Sequence, residues 1–255
     1  AGGTYSVDVP AALAEGTFTV VASASDAAGN SASANDSGAL DITAPMLTVD
    51  APALTNDSTP TINGTTNLPA GSFITLTITD ALGAVQTVAA TVVAGGTYSV
   101  DVPSALAEGT FTVVATAIDA AGNSTTANDS GALDITAPSL TVDAPALTND
   151  STPTITGATN LPAGSIVTLT ITDALGAVQT VTATVVAGGT YSVDVPAALA
   201  EGTFTVVASA SDAAGNPATA NDSGVLDITP PVVTLSLDPV TADNILSVGE
   251  TGANI

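Results

Sequence analysis

The sequence predicts an all-β chain built as tandem antiparallel β-sandwiches. Its 255 residues repeat with a period of 93: Leu-Asp-Ile-Thr-Ala-Pro begins at Leu40 and Leu133, and Leu-Asp-Ile-Thr-Pro-Pro begins at Leu226. Each repeat contains short runs of alternating apolar and polar residues between turn sequences, and helical periodicity is missing. A unit of this length matches one domain. Together these observations favour several copies of one small β domain.

The repeats divide the chain into four segments. Residues 1–44 are the C-terminal part of a repeat, 45–137 and 138–230 are complete repeats, and 231–255 begin a further, divergent one. The two complete repeats differ at 13 of 93 positions. Because such similarity points to duplication, an acidic residue that recurs in both copies is weak evidence of function.

Seven strands are predicted in the repeat 45–137. The clearest is Phe73–Thr79, where apolar residues alternate with threonine as in a half-buried strand. Seven strands with a turn about every ten residues are typical of an immunoglobulin-like sandwich. The predicted strands cover 46–50, 59–66, 73–79, 85–93, 97–102, 110–118 and 124–135.

Alternation within these strands also predicts the core of the repeat. The core is poor in aromatic residues, so modest stability without a ligand is expected. The predicted core residues are Leu47, Val49, Ile62, Ile74, Leu76, Ile78, Val88, Tyr98, Val100, Phe111, Val113, Leu133 and Ile135.

Charge gives the strongest indication of a ligand. The chain has 24 acidic residues and no Lys, Arg or His, for a formal charge of −24. Repulsion on this scale destabilises a compact state unless counter-ions or metals neutralise it, so bound divalent cations are expected. The same charge argues against nucleic acid and anionic membranes as partners. A hydrophobic content of 45% favours a folded chain over a disordered one.

Composition also bears on catalysis and membrane insertion. Without His, Cys or Lys, a general base or nucleophile would have to come from carboxylates, Ser, Thr or Tyr, and no motif arranges them. Paired carboxylates acting on sugars need aromatic residues for stacking, and the chain has no Trp and three Tyr. We therefore do not expect an enzyme. No apolar run approaches a membrane-spanning length, so direct membrane insertion of this fragment is not expected.

Sandwich topology places most acids of a repeat at one end. The turns after the first, third and fifth predicted strands share that end, and the last strand also finishes there. Calcium takes six to eight oxygen ligands from carboxylates, Asn and carbonyl groups, whereas magnesium requires stricter geometry. The acids at this end are Asp57, Asp80, Asp101, Glu108 and Asp134.

Two calcium sites are predicted near each joint between repeats. One site combines Asp134 with the loop residues Asp212 and Asn216 of the next repeat. A second site uses some of Asp57, Asp80, Asp101 and Glu108. The residues equivalent to these at the first joint are Asp8, Glu15 and Asp41 with Asp119 and Asn123.

Several of these features have simpler interpretations. Asp-Ala-Ala-Gly-Asn is also a good turn on backbone chemistry alone. Asp50 and Asp129 fall in predicted strands and are expected on solvated faces. The row Thr75, Thr77 and Thr79 could form a ligand-binding face, but threonine is simply favoured on exposed strand surfaces.

The repeated sequences LTVDAPALTNDSTPTITG, NLPAGS, GGTYSVDVP, ALAEGTFTVVA, DAAGN and LDITAP resemble a known family. They are similar to the bacterial immunoglobulin-like tandem repeats in the extender region of giant RTX adhesins of Gram-negative bacteria. The resemblance implies an elongated, calcium-rigidified rod that projects a distal adhesive domain for cell attachment or biofilm formation. It also implies type I secretion and folding in external calcium.

The same resemblance implies locations and ligands. It assigns Asp41, Asp134 and Asp227, with the loop pairs Asp119–Asn123 and Asp212–Asn216, to calcium. The chain is then expected to be extracellular, monomeric and held at the outer membrane through regions absent here, with neighbouring repeats as its partners. Two alternatives stay open: a module that itself binds sugar, ice or a host protein, and a self-associating surface-layer or filament subunit.

Overall fold

The computed structural model describes residues 3–236, and every helix or strand assigned in them is a β-strand. The predicted all-β class is confirmed. The described residues divide into two units, 3–138 with 211–218, and 139–210 with 219–236. Most of the predicted further repeat at 231–255 lies outside the described residues.

Within residues 3–138 the strands are two to ten residues long, and several of them end at glycine-containing turns, as the turn sequences predict. They are β1 (Gly16–Ser25), β2 (Ser31–Leu40), β3 (Leu54–Thr55), β4 (Thr61–Thr65), β5 (Phe73–Thr79), β6 (Val85–Thr91), β7 (Thr97–Asp101), β8 (Gly109–Ile118) and β9 (Ser124–Leu133).

Strands β3 to β9 form a sandwich of two sheets. One sheet has the strand order β3-β9-β8-β5-β6, and the other pairs β4 with β7. Main-chain bridges from Leu47 to Thr66 and from Asp50 to Asn63 join the segment before β3 to β4. The pairs are antiparallel except β3 with β9, which is parallel. Ahead of this sandwich, β1 and β2 form an antiparallel hairpin.

The strands that follow residue 138 repeat this arrangement. Their sheets have the orders β11-β17-β16-β13-β14 and β10-β12-β15. The strands are β10 (Leu140–Asp143), β11 (Leu147–Thr148), β12 (Thr154–Thr159), β13 (Ile166–Thr172), β14 (Val178–Thr184), β15 (Thr190–Asp194), β16 (Gly202–Ser211) and β17 (Pro217–Leu226).

The period-two pattern of β5 explains how the core forms. Ile74, Leu76 and Ile78 are fully buried, while the threonines between them are exposed or half-buried. Most of the predicted core is confirmed, including Tyr98, Phe111 and Leu133, and the partly buried Leu47, Val49, Val88 and Val100 pack against it.

One core prediction is wrong. Ile135 is 50% exposed, because β9 ends at Leu133 and the following residues leave the sheet. The strand predicted from sequence alternation ended at residue 135, two residues beyond the end of β9.

A tyrosine and a glycine hold the smaller sheet together. The Tyr98 hydroxyl donates a hydrogen bond to the carbonyl oxygen of Thr48. A Cβ atom at Gly64 would lie 2.3 Å from both the Tyr98 and the Thr48 oxygen atoms, so only glycine leaves room for this bond. Tyr191 and Gly157 occupy the equivalent positions in the second unit.

The prediction that Asp129 lies on a solvated face is also wrong. Its side chain is half-buried, and Oδ2 accepts a hydrogen bond from the Ala51 N–H at 2.8 Å. This bond, followed by a smaller one from the Ser130 N–H, keeps the pKa of Asp129 below its ordinary value. The carboxylate therefore ties the first segment of the repeat to its last strand.

Candidate metal centre

The Asp-Ala-Ala-Gly-Asn loop between β8 and β9 is stabilised by hydrogen bonds of its first and last residues, Asp119 and Asn123. The Asp119 carboxylate accepts hydrogen bonds from the main-chain N–H groups of Ala121 and Asn123 at 3.0 and 2.8 Å. Gly122 completes the turn with a φ of 95°. The Asn123 side-chain amide donates to Asp119 Oδ2 at 2.9 Å and is the main reason that the pKa of Asp119 is lowered. The carboxylate therefore stays ionised.

The same Asn side chain reaches a carbonyl group of the preceding repeat. Nδ2 of Asn123 donates a hydrogen bond to the main-chain oxygen of Asp41 at 3.1 Å. At the equivalent positions, Asn216 Nδ2 donates to the Asp134 oxygen at 2.8 Å. Both contacts lie inside the first unit as defined above. The structure thus brings together the predicted partners Asp41 with Asn123, and Asp134 with Asn216.

Each joint aspartate shares one threonine with a glutamate. Asp134 Oδ1 accepts the Thr136 N–H at 3.1 Å, and the Thr136 hydroxyl donates to Glu108 Oε1 at 2.7 Å. Sequence reasoning missed this threonine, although its spacing in the repeated Leu-Asp-Ile-Thr was visible. The equivalent trios are Asp41, Thr43 and Glu15, and Asp227, Thr229 and Glu201.

Three of the four acids predicted for the second calcium site make local hydrogen bonds instead. Asp57 accepts from the N–H and the hydroxyl of Thr59. Asp101 accepts from Thr61 Oγ1 at 2.6 Å. Asp80 is bound by N–H groups of its own turn and by the Ala107 N–H. Among residues 3–236, no three acidic side chains are grouped closely enough to hold a metal ion.

The chemistry of the oxygens around Asn123 nevertheless fits calcium. One carboxylate oxygen of Asp119 and one main-chain oxygen of Asp41 are directed at the same side-chain amide. Carboxylate, carbonyl and Asn oxygens are the ligand types that calcium prefers. Rotation of the Asn123 amide by 180° would exchange its nitrogen for its oxygen, at a point where two oxygens already converge.

The described part of the chain contains no helix long and apolar enough to cross a membrane.

The family is decided by sequence comparison. The profile of the bacterial Ig-like domain family matches residues 48–137 and 131–228, which together make up more than half of the chain. The chain belongs to the bacterial Ig-like domain family. The family predicted from the repeated motifs is thereby confirmed. No curated protein matches the chain significantly.

Three solved structures are similar to this bacterial Ig-like chain. A tetra-tandem repeat from the extending region of a large adhesion protein is 38% identical, with a TM-score of 0.38, and the match covers 85% of this chain and 58% of that one. A Ca²⁺-stabilized adhesin, which helps an Antarctic bacterium to bind ice, is 30% identical, with a TM-score of 0.45 and coverages of 90% and 61%. A 1.5-MDa bacterial ice-binding adhesin is 25% identical, with a TM-score of 0.41 and coverages of 84% and 74%.

The first of these structures is longer than the matched region, so the chain spans 58% of its length.

Proposed function

We propose that this chain is a structural spacer of a bacterial surface adhesin, in which calcium at the joints between repeats limits bending. The observation that carries the proposal is the contact of Asn123 with the Asp41 oxygen, repeated by Asn216 with the Asp134 oxygen. The same residues are paired at two successive joints, as a spacer made of many similar repeats requires. The repeats in this proposal are 1–44, 45–137, 138–230 and the beginning of a further one at 231–255.

Charge supports a cation at the joint. The chain carries 24 acidic residues and no Lys, Arg or His to compensate them. The residues proposed to hold calcium there are Asp41, Asp119 and Asn123, with Asp134, Asp212 and Asn216 as their counterparts. Bound calcium supplies local charge neutralisation and links oxygens from both sides of the joint.

Calcium is also proposed to stabilise the fold by linkage. A ligand that binds only the folded state stabilises it by about 2.7 kcal/mol at a free concentration 100 times its Kd. Extracellular calcium modules have dissociation constants on the order of 10⁻⁴ to 10⁻³ M. A chain of this kind is therefore expected to gain stability in millimolar calcium, as outside a cell.

The proposed role is structural and does not include catalysis. The only ionisable side chains are carboxylates and three tyrosines. Two of those tyrosines, Tyr98 and Tyr191, are buried in the cores. The carboxylates of Asp41 and Asp134 each accept the main-chain N–H of the threonine two residues later. Calcium ions and neighbouring repeats are the proposed partners, and the cell surface is the proposed location.

Small-angle X-ray scattering tests the proposal on the 255-residue chain. We expect its maximum dimension and stiffness to rise in calcium and to fall in excess chelator, at constant mass. The variant Asp41→Asn with Asp119→Asn should reduce the response. The control is Asp36→Asn, whose carboxylate accepts a hydrogen bond only from the neighbouring Ser37 N–H. An unchanged scattering profile in calcium would contradict the calcium-joint mechanism.

A further inference from the structure

Strand β6 forms an open edge of the larger sheet in the first sandwich. It stands at the end of the strand order β3-β9-β8-β5-β6, with β5 on one side and, among residues 3–236, no strand on the other. In the second sandwich β14 has the same place beside β13. An edge strand presents a row of free N–H and C=O groups, with which a further strand can pair.

The hydrogen bonds that flank β6 identify its free main-chain groups. The Val92 N–H donates to the Ser72 oxygen at 2.8 Å, and the Asp80 N–H donates to the Ala84 oxygen at 3.0 Å. Bonded and non-bonded positions alternate in an antiparallel pair, so every second residue of β6, beginning with Gln86, binds β5. The residues whose main-chain groups are directed away from β5 are Val85, Thr87, Ala89 and Thr91.

The sequence of this edge favours pairing. Strand β6 reads Val-Gln-Thr-Val-Ala-Ala-Thr and contains no charge, proline or glycine. Strand β14 differs only in having Thr182 at the position of Ala89. Val85 and Val178 are 63% and 62% exposed. Uncharged segments of high β-propensity are those that readily pair with another strand when an edge is open.

The other sheet edges are protected by short strands or by acids. Proteins commonly use both devices to prevent pairing between edges. Strands β3 and β11, at the opposite edge of the larger sheets, have two residues each. Strands β10 and β15, at the edges of the smaller sheet, end in Asp143 and Asp194. Strands β6 and β14 have neither protection.

Charge indicates which partner suits this edge. A cationic partner would bind the acidic surfaces of a chain with a formal charge of −24, whereas a second copy of the chain is repelled wherever acids meet. The outward side chains of β5 and β6 are threonine, valine, alanine and phenylalanine. Asp80 lies in the turn at one end of β6, so antiparallel pairing of two β6 strands places their Asp80 turns at opposite ends.

We propose that β6 and β14 pair edge to edge, in antiparallel orientation, with the same strands of a second copy of this chain. Each pairing would join two five-stranded sheets into one. Because the same strand is used on both sides, the contact is isologous and leaves neither edge open.

This pairing goes beyond the proposed spacer function, because it concerns contact between two chains and requires no calcium. One strand pair is a small interface, so its affinity is low. Each complete repeat contributes one such strand, and several pairings between the same two chains strengthen one another. Long arrays of these repeats would therefore associate side by side more tightly than short ones.

Sedimentation velocity on the 255-residue chain tests the pairing. Excess chelator prevents calcium from bridging carboxylates of two chains. We expect the mean mass to rise reversibly over chain concentrations from about 10 μM to about 1 mM, where weak contacts form. The rise should be larger in about 500 mM than in about 20 mM sodium chloride, because salt screens repulsion between like charges. A monomer mass throughout would overturn the proposal.

Two variants remove the pairing in different ways. Ala89→Pro with Thr182→Pro removes an outward N–H from each edge strand and no bond to the neighbouring strand, a position where proline is tolerated. Thr87→Glu with Thr180→Glu places a carboxylate on each edge, as natural edges do. Each should lower the association constant by about tenfold or more, equivalent to one or two main-chain hydrogen bonds. If the proline variant does not fold by circular dichroism, the glutamate variant decides.

The matched control is Thr112→Glu with Thr205→Glu. These exposed threonines lie on β8 and β16, which have strands on both sides. The control adds the same charge to the same face, away from the edge, and should associate like the wild type in high salt. An equal loss in the control would assign the contact to the face of the sheet, and unchanged association of the edge variants would assign it to another surface. Either result overturns the proposal.

Hydrogen exchange gives a second measurement of edge pairing. The N–H groups of Thr87 and Ala89 are free in the single chain and become hydrogen-bonded in the pair. Their exchange should slow as the chain concentration rises, whereas contact through side chains alone would leave it unchanged and overturn the proposal. The calcium response of chain dimensions is measured in dilute solution, so failure of the pairing and failure of the spacer function are distinguishable.

Discussion

The side-chain amide of Asn123 donates a hydrogen bond to the main-chain oxygen of Asp41, 82 residues earlier in the chain. Asn216 and Asp134 are paired with the same separation of 82 residues. Asn123 also binds the Asp119 carboxylate of its own loop. One amide thus connects an acid of one repeat to the last residues of the repeat before it.

Replacing this amide should weaken calcium binding at the first joint. Asn123→Ala removes both hydrogen bonds and the only amide group of the loop, and loss of groups that orient metal ligands typically costs about 10-fold in affinity or more. Isothermal titration calorimetry of the 255-residue chain should show one class of sites weakened by about tenfold. Asn63→Ala is the control, because the other complete repeat has Thr156 at that position. Equal titrations for the two variants would contradict a role for Asn123.

Gly64→Ala should destabilise the repeat 45–137. The new methyl group would lie 2.3 Å from a main-chain oxygen and from the Tyr98 hydroxyl. Because a main-chain atom cannot move aside easily, a loss of about 3 kcal/mol is expected. Urea unfolding followed by circular dichroism measures it, again with Asn63→Ala as the control. A loss no greater than that of the control would mean that the sheet can open at this point.

Alkaline unfolding should depend on the buried tyrosines. Burial raises the pKa of Tyr98 and of Tyr191 to about 12, from an ordinary value of 10.0. A raised pKa favours the neutral form in the folded state, so this contribution to stability is complete below pH 10 and is lost as the pH rises towards 12. Melting temperatures recorded from pH 9 to 12 should fall over that range.

The variant Tyr98→Phe with Tyr191→Phe tests the cause of this fall. It should be less stable at neutral pH by about 1–2 kcal/mol per repeat, because the Thr48 and Thr141 oxygens lose their donors. Its melting temperature should change less between pH 10 and 12. A slope as steep as that of the wild type would assign alkaline unfolding to other groups.

Acid should weaken the bond between Asp129 and Ala51. The pKa of Asp129 is lowered by the Ala51 N–H and then the Ser130 N–H. A lowered pKa contributes stability above the ordinary value of 3.8, and that contribution is lost as the pH falls through the folded-state pKa. Thermal unfolding between pH 5 and 2 should show a shallower decline for Asp129→Asn with Asp222→Asn, since an amide oxygen accepts the same bond without titrating. Parallel declines would show that other carboxylates dominate.

Sequence alternation predicted the inner strands well, because their side chains face a core on one side and solvent on the other. Phe73–Thr79 is a strand with the predicted bounds. The alternation could not reveal β3, since two residues are too short for a period. The predicted core also omitted two buried residues. Ala115 is small, and Val102 lies just after the end of β7.

The candidate metal centre was predictable only in part. The spacing of the repeats made Asp41 and Asn123 neighbours in the prediction, and the structure brings them together. The proximity of Glu108 to Thr136 depends on where β8 begins and β9 ends, which a single sequence defines poorly. The position of Asp129 in a strand suggested a solvent-exposed carboxylate. Its partner is the main-chain N–H of Ala51, and side-chain patterns do not reveal main-chain partners.

The bond from Asp129 to Ala51 joins residues 78 positions apart. The beginning of a repeat therefore cannot be secured until nearly all of that repeat has become available. Contacts of such long range slow folding, because the intervening chain must be ordered first. Whichever end of a repeat becomes available first, this bond can form only when both the first segment and the last strand are present, so each repeat completes its fold as a whole.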